Sequence, residues 1–80
     1  MIDRLQGVKV IGIKQCKKAM NNGEGKVLYV AQDADMKLLE SLLELAKQNN
    51  IEVRFIDSMR ILGKMCGIDV GASATIILNK

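Results

Sequence analysis

Short runs of β-branched and other apolar residues alternate along this chain with segments whose apolar residues recur every three or four positions. The runs predict strands at residues 9–11, 26–31, 51–56 and 73–78. The helically spaced segments predict a helix with an apolar stripe at Ile13, Cys16, Ala19 and Met20, a leucine-rich helix carrying Leu38 to Ala46, and a short helix with Ile61, Leu62, Met65 and Cys66 facing inward. Ile2 and Leu5 indicate a further helical turn before the first strand.

Residues that favour helix ends lie at the predicted boundaries. The Asn-Asn-Gly segment at 21–23 is expected to stop the first helix, with its glycine just past the end. Either Asp33 or Asp35 can cap the start of the second helix, because a carboxylate accepts hydrogen bonds from free N–H groups there. Ser58 is the expected cap of the third helix, and Gly67 is expected to close it.

Strands that alternate with helices predict a sheet covered by helices on its faces. The chain has 80 residues and is 49% apolar, which is enough for one domain with a small, mostly aliphatic core. We therefore expect a single α/β domain over residues 1–80, folded as a three-layer α/β/α sandwich of four strands and about four helices. The near-continuous apolar run at 26–31 predicts a strand buried on both faces.

Positive charge is concentrated in two parts of the chain, which has a net formal charge of +3. Residues 8–26 hold five lysines against one glutamate, whereas residues 31–57 hold six acidic residues against three basic ones. Residues 58–80 are basic again. If the two basic segments meet in the fold, they form one basic face, which is typical of proteins that bind nucleic acid.

The first basic segment begins with a glycine at a strand-to-helix junction. Gly12 stands at that junction, where a glycine lets another backbone approach closely. The first turns of the helix then carry three lysines and a glutamine, Lys14, Gln15, Lys17 and Lys18. On a helix these positions are expected to share an exposed rim beside Gly12. Cations are disfavoured at a helix start, so the rim is either a solvated face or a site for an anion such as nucleic-acid phosphate.

A second stretch with two interpretations runs from residue 62 to residue 72. It places the apolar residues Ile68 and Val70 in a loop flanked by glycines. Such residues either plug the edge of the core or form a contact surface for an unstacked base. With one Phe, one Tyr and no Trp, the chain has no aromatic platform of the kind used by RRM and OB-fold RNA-binding proteins.

A third block belongs with these two stretches. The three blocks are Gly-Ile-Lys-Gln-Cys-Lys-Lys at 12–18, Val-Ala-Gln-Asp-Ala-Asp at 30–35 and Leu-Gly-Lys-Met-Cys-Gly-Ile-Asp-Val-Gly-Ala at 62–72. On these three blocks the chain resembles the small bacterial, YbxF-type members of the kink-turn RNA-binding ribosomal-protein family over nearly its whole length. The resemblance implies a mixed four-stranded sheet and binding to kink-turns, in which tandem sheared G·A pairs follow a bulge. The implied partner is structured RNA, either ribosomal RNA or a riboswitch-like leader.

The resemblance also implies which residues bind RNA. The Gly12 position allows close approach of the RNA backbone, and the Lys18 position contacts a guanine. Lys14 and Gln15 stand where archaeal and eukaryotic members use Asn-Glu to contact the G·A pairs. Gln15 lacks a carboxylate, and Lys14 adds attraction for phosphate. RNA binding is therefore expected to depend more on salt, and to discriminate less between bases, than in the archaeal members.

The remaining implied contacts lie in the other two blocks. The Asp35 and Leu39 positions lie near the flipped-out nucleotide of the bulge, and the loop Ile68, Asp69, Val70 packs on the RNA from the other side. The implied set of RNA-binding residues is therefore Gly12, Lys14, Gln15, Lys18, Asp35, Leu39, Ile68, Asp69 and Val70.

Two other classes of function are open to a fold of this kind. A protein-interaction module would need an exposed apolar patch, and the leucines of the second helix exceed a single stripe, at Leu38, Leu39, Leu42, Leu43 and Leu45. An enzyme is disfavoured, because the chain has no His, no Walker-type phosphate loop and no nucleophile beside a candidate base. We expect no cofactor and no metal.

Cys16 and Cys66 are far apart in sequence and match no metal-ligand spacing. Each lies in a helical apolar pattern, so both are predicted to be buried free thiols, as in a reducing cytosol. The N-terminus has no signal-peptide pattern, and no apolar run approaches the roughly 20 residues that span a bilayer. We therefore expect a cytoplasmic monomer without a membrane partner.

Overall fold

The structure, a computed structural model, describes residues 5–79. In chain order its elements are β1 (Lys9–Ile11), α1 (Ile13–Asn21), β2 (Gly25–Ala31), α2 (Met36–Gln48), β3 (Glu52–Ile56), α3 (Met59–Met65) and β4 (Ala74–Leu78). The predicted strands and the three main helices are all present within one or two residues of their expected bounds. Ile2 lies outside the described residues, and Leu5 is not helical.

The four strands form one mixed sheet in the order β1-β4-β2-β3. β4 runs antiparallel to both of its neighbours, whereas β3 runs parallel to β2. The parallel pair is joined through α2, because such strands need a long crossover connection. The C-terminal ends of β1, β2 and β3 therefore lie beside the start of β4. We call this the loop end, formed by Gly12 and residues 32–35, 57–58 and 66–73; the opposite, turn end is formed by residues 22–24 and 49–51.

Helices cover both faces of the sheet. α1 and α2 pack against each other and against the sheet, and α3 packs against β2, β3 and β4. Successive residues of β4 point to opposite faces. Leu78 borders Ala19 of α1, whereas the Thr75 hydroxyl oxygen lies 3.0 Å from the sulfur of Cys66, just past α3. The α/β/α sandwich is thus confirmed.

The core lies mainly between the sheet and the α1–α2 layer. Its largest fully buried side chains include Met20, Leu28, Leu39, Leu42 and Ile76. Burying a side chain of this size contributes about 1.5–3 kcal/mol, so a few such residues account for much of a small domain's stability. The leucines of α2 are mostly absorbed here, because the helix packs against both α1 and β3.

The helix caps follow the sequence closely. Asp35 caps α2, its carboxylate accepting a hydrogen bond from the Lys37 N–H at 2.9 Å. The Ser58 hydroxyl caps α3 by accepting from the Ile61 N–H at 3.1 Å. Asp33 accepts instead from the Met59 N–H at 2.7 Å, so it serves α3 across the loop end.

β2 is less buried than its composition predicts. Leu28 and Val30 are buried on the α1–α2 face, but Val27 and Tyr29 on the other face are half-buried. The seven-residue α3 is too short to cover this face completely, and Arg54 of β3 lies over the Tyr29 ring at 5.9 Å from its centroid. The prediction of burial on both faces is therefore wrong.

Both cysteines are free and buried, as predicted. Burial raises the pKa of Cys16 to about 12, and the neighbouring Cys66 thiol adds to the shift. Cys16 is therefore a packing residue whose thiol stays protonated at neutral pH. Within residues 5–79, none of the helices combines the length and apolarity needed to cross a bilayer.

Candidate nucleic-acid interface

The loop end brings together the three blocks singled out in the sequence. The Gly12 N–H donates to the carbonyl of Ala74, the first residue of β4, at 2.9 Å. The Ala31 N–H donates to the Ser73 carbonyl at 2.9 Å, and the Gln32 N–H to the Ile56 carbonyl at 2.8 Å. Backbone hydrogen bonds thus fix the start of α1, the β2–α2 junction and the segment before β4 next to one another.

The start of α1 is held open by a glycine. Gly12 has a φ of +110°, a conformation that side-chain-bearing residues rarely adopt, and no side chain caps the helix. A Cβ built on Gly12 would meet nothing within 4 Å. The N–H of Cys16 closes the first turn on the Gly12 carbonyl at 2.9 Å. The N-terminus of α1 therefore faces open space, where its positive end is available to an anion.

The cationic rim predicted on α1 is divided between its two flanks. Lys14, Gln15 and Lys18 are exposed, and Gln15 and Lys18 border one hollow. Lys17 is half-buried and instead borders a groove shared with Glu44 of α2. Because α1 has only nine residues, Lys18 also lies in its last turn, where a cation is favoured by the helix dipole. The expectation that all three lysines crowd the helix start is therefore wrong, and only Lys14 opposes the dipole.

The β2–α2 block differs from its expected form at one position. Asp35 is exposed at the loop end, but Leu39 is 1% exposed and lies in the core. Leu39 thus offers no surface to a ligand in this structure. The exposed apolar residues of this helix are Met36, at 58%, and Leu38, at 49%. Sequence reasoning missed Met36, although its position directly after the capping Asp35 already placed it on the first turn of α2.

The segment before β4 folds back along α3. The Ile68 N–H donates to the Gly63 carbonyl at 3.0 Å, and the Ala72 N–H donates to the Met59 carbonyl at 2.9 Å. A Cβ built on Gly63 would overlap the Val70 carbonyl oxygen, so only glycine permits this close approach. The loop is therefore fixed on α3 at both of its ends.

The two apolar residues of the loop differ in burial, and the edge-of-core interpretation holds for Ile68 only. Ile68 is half-buried and packs against the core, which is the behaviour of an edge plug. Val70 is 70% exposed, the largest exposure among the large apolar residues described, and Asp69 beside it is exposed as well. The loop thus presents one apolar side chain to solvent on a fixed backbone.

The basic segments meet only in part. Lys14 and Lys18 lie on the α1 side of the sheet, and Arg60 and Lys64 are exposed on α3, on the other side. Lys26, the second residue of β2, lies at the turn end, where Lys18 also borders a hollow with Asn22 and Glu24. Among residues 5–79 the ion pair found joins Arg54 to Glu52 on β3, so these four cations have no carboxylate partner there. Exposed cations therefore lie on the α1 and α3 flanks of the loop end, whose own residues include the exposed carboxylates of Asp33, Asp35, Asp57 and Asp69.

In the part of the chain that the structure describes, no group of three or more His, Cys, Asp or Glu side chains is placed to hold a metal ion. The chemistry of the loop end is instead that of backbone N–H groups, an amide, four exposed aspartates and the exposed Val70, with lysines on the adjoining helices. A model of the ribosomal protein L7Ae/L30e/S12e/Gadd45 family matches residues 4–80. The chain belongs to this family.

Relatives within the L7Ae family are close in both sequence and length. The chain is 44% identical over 73 residues to the RNA-binding protein YbxF of Geobacillus stearothermophilus, covering 91% of this chain and 89% of that protein. It is 42% identical over 73 residues to an RNA-binding protein of Geobacillus sp. strain WCH70, with the same coverage. The resemblance stated from the sequence is thereby confirmed, and the chain is a YbxF-type member of the L7Ae family.

Solved structures support the L7Ae fold at lower sequence identity. A 15.5 kD RNA-binding protein of Giardia lamblia aligns with a TM-score of 0.85 and 23% identity over 90% of this chain and 61% of that one. A Bacillus halodurans protein of unknown function aligns with a TM-score of 0.80 and 22% identity over 86% of this chain and 69% of that one. The arrangement of the loop end is therefore set on a backbone shared well beyond close relatives.

Proposed function

We propose that this protein is a non-catalytic RNA-binding module that recognises kink-turns, where tandem sheared G·A pairs lie beside a bulge. The observation that carries the proposal is the open, uncapped start of α1 at Gly12, fixed beside Ala74 and so beside the apolar loop. Its relatives, which are named RNA-binding proteins at 42% and 44% identity, favour the same conclusion. Ribosomal RNA and riboswitch-like leaders are the candidate partners.

In this proposal α1 forms one wall of the RNA site. Open space above Gly12 admits the RNA backbone, and the exposed Lys14 binds a phosphate. Gln15 can both donate to and accept from a base edge, because a side-chain amide has both groups. Lys18 donates to the acceptors of a guanine. The G·A pairs would thus be contacted by a helix that a rigid sheet holds in place.

The other wall is formed by Asp35 and the loop. Val70 offers an exposed apolar surface against which an unstacked base can lie, since RNA-binding proteins bind splayed bases in this way. Asp69 beside it can accept hydrogen bonds from a base or a ribose. Ile68 anchors the loop in the core, and Leu39, whose N–H donates to the Asp35 carbonyl at 3.0 Å, keeps its side chain in the core away from RNA.

Binding to a kink-turn RNA and to the same RNA with its G·A pairs changed to Watson–Crick pairs tests the proposal. We expect strong preference for the kink-turn, because only that RNA presents a splayed bulge nucleotide beside sheared pairs. Equal affinity for both RNAs would leave RNA binding in place but remove kink-turn recognition. Absence of binding to either RNA would remove the proposed function altogether.

A protein-interaction module is the second candidate, and the structure gives it less support. Of the leucines that exceed one helical stripe, Leu38 alone is classed as exposed, while Leu43 and Leu45 are half-buried. Met36 is the other exposed apolar residue of α2, and two such side chains are too few for an apolar patch of several hundred Å², the order of size at which a patch indicates an interface. Light scattering coupled to size exclusion is expected to show a monomer, and a stable dimer without RNA would reopen this candidate.

A further inference from the structure

A second pair of cations lies next to the apolar loop but outside the proposed contact set. Arg60 and Lys64 are one helical turn apart on α3, so their side chains share one face of the helix. Both are exposed, and both border a hollow with residues 68–71 of the loop. This hollow lies on the side of the sheet opposite to α1.

The fold does not account for this pair of cations. Arg60 and Lys64 have no ion-pair partner among residues 5–79, although Asp69 borders the same hollow. Like charges four residues apart on a helix repel each other slightly. Lys64 gains some compensation from the helix dipole in the last turn, but Arg60 in the first turn gains none. The pair therefore weakens the helix slightly, and a bound anion would reverse that effect.

We propose that Arg60 and Lys64 form a phosphate-binding surface that continues the RNA contact past Val70 onto the α3 side of the sheet. This inference rests on the proposed function. An RNA base that packs on the exposed Val70 brings its own backbone to the border of the hollow, where the two cations stand. One stem of the RNA then follows α1 and the other follows α3, so the sheet edge separates the two stems of a bent RNA.

The double variant Arg60→Gln, Lys64→Gln tests the surface through the salt dependence of binding. Removing two phosphate contacts is expected to reduce the slope of log affinity against log salt by about 2, because each contact releases about one counterion. The ratio of wild-type to variant affinity should then fall by about tenfold between about 50 and 200 mM salt. Discrimination between the kink-turn and its Watson–Crick counterpart should stay unchanged, since phosphate contacts carry no sequence information.

The matched control is Lys26→Gln, Lys47→Gln, which removes the same charge from the turn end. It is expected to leave the slope within a few tenths of the wild-type value. All of the substituted side chains are exposed, so thermal unfolding should show that both variants stay folded.

Shortening each RNA stem in turn locates the contact. The loss of RNA affinity caused by Arg60→Gln, Lys64→Gln should disappear when the stem that follows α3 is shortened. It should persist when the stem that follows α1 is shortened. The inference is overturned if the wild type binds the kink-turn while the variant keeps the wild-type slope, or if the control changes the slope as much. A wild type that binds no kink-turn at all overturns the proposed function instead.

Discussion

The starts of α1 and α2 occupy equivalent places in the fold but are built differently. Each follows a strand at the loop end, and each has a lysine as its second helical residue, Lys14 in α1 and Lys37 in α2. The α2 start is closed by Asp35, whose carboxylate binds the Lys37 N–H. The α1 start has Gly12, which carries no side chain and leaves the helix uncapped.

The α2 start is thus stabilised by a side chain of the protein, whereas the α1 start is left open. Replacing a capping side chain by alanine costs about 0.5–2 kcal/mol, but glycine at this position costs only a few tenths, so the open start of α1 gives up little stability. A phosphate bound at α1 would take the place of the missing side chain. We therefore expect substitutions at the α1 start to change RNA binding more than stability, whereas substitution of Asp35, which caps α2 and lines the proposed RNA site, should change both.

The largest expected effect is on RNA affinity at α1. Lys18→Ala should weaken binding to a kink-turn RNA by about 1–3 kcal/mol if the ammonium contacts a base, as titration calorimetry can measure. Lys17→Ala is the matched control, because Lys17 faces the groove beside α2. Equal losses from both substitutions would show that only the net charge of α1 matters.

The next effect is on stability at α2. Asp35→Ala should lower the free energy of unfolding by about 1 kcal/mol, because it removes the cap from the Lys37 N–H. Asp35→Asn should keep most of that stability, since asparagine caps helices about as well. Chemical denaturation measures both variants, and an equal loss in both would mean that the Asp35 charge, and not its hydrogen bond, stabilises α2.

A smaller effect of opposite sign is expected at the second residue of α1. Lys14→Glu should raise the free energy of unfolding by about 0.3–1 kcal/mol, because it places a negative charge at the positive end of the helix. The same substitution should weaken RNA binding strongly. Lys37→Glu is the counterpart in α2, and we expect a smaller gain there because Asp35 already provides that charge. A Lys14→Glu variant with a lower free energy of unfolding would contradict the expectation that a negative charge stabilises the uncapped start of α1.

The last expected effect, a pH dependence of stability, is on the buried face of α1, and it is absent at neutral pH. The pKa of Cys16 is raised from 9.0 to about 12, so the folded protein holds this proton more tightly than the unfolded chain. The resulting stabilisation is fully present below about pH 9 and is lost progressively as the pH rises towards 12. Between pH 9 and pH 12 the free energy of unfolding should therefore fall further in the wild type than in the Cys16→Ala variant. Rapid reaction of Cys16 with a thiol reagent near pH 7 would contradict its burial.

Local chemistry predicted most of the elements of this fold. Ser58 and Asp35 cap helices where the sequence placed them, because capping depends only on the next three residues. β1 has the predicted bounds, and the Asn-Asn-Gly segment at 21–23 ends α1 as expected, with Gly23 at a φ of +71°. The family resemblance also predicted a candidate RNA site from three blocks of sequence, and the structure brings these blocks together at the loop end.

Features that depend on distant neighbours were predicted less well. The sequence counted Leu39 among the leucines that exceed a single stripe of α2, and the resemblance made it an RNA contact, but its 1% exposure places it in the core. The partial exposure of Tyr29 follows from the length of α3, which no pattern within β2 encodes. The separation of Lys17 from Lys18 likewise depends on how α1 packs against α2.

The position of β4 in the sheet also bears on the order in which the protein assembles. β4 is the last strand along the chain, yet it lies between β1 and β2 and joins them. A nascent chain that stops before Ala74 has β1 and the β2–β3 pair with no strand between them, and it lacks the carbonyl that binds Gly12. Closing such non-local contacts is slow compared with forming helices. The proposed RNA site and the core therefore both depend on β4, so we expect no RNA binding by a chain that lacks this strand.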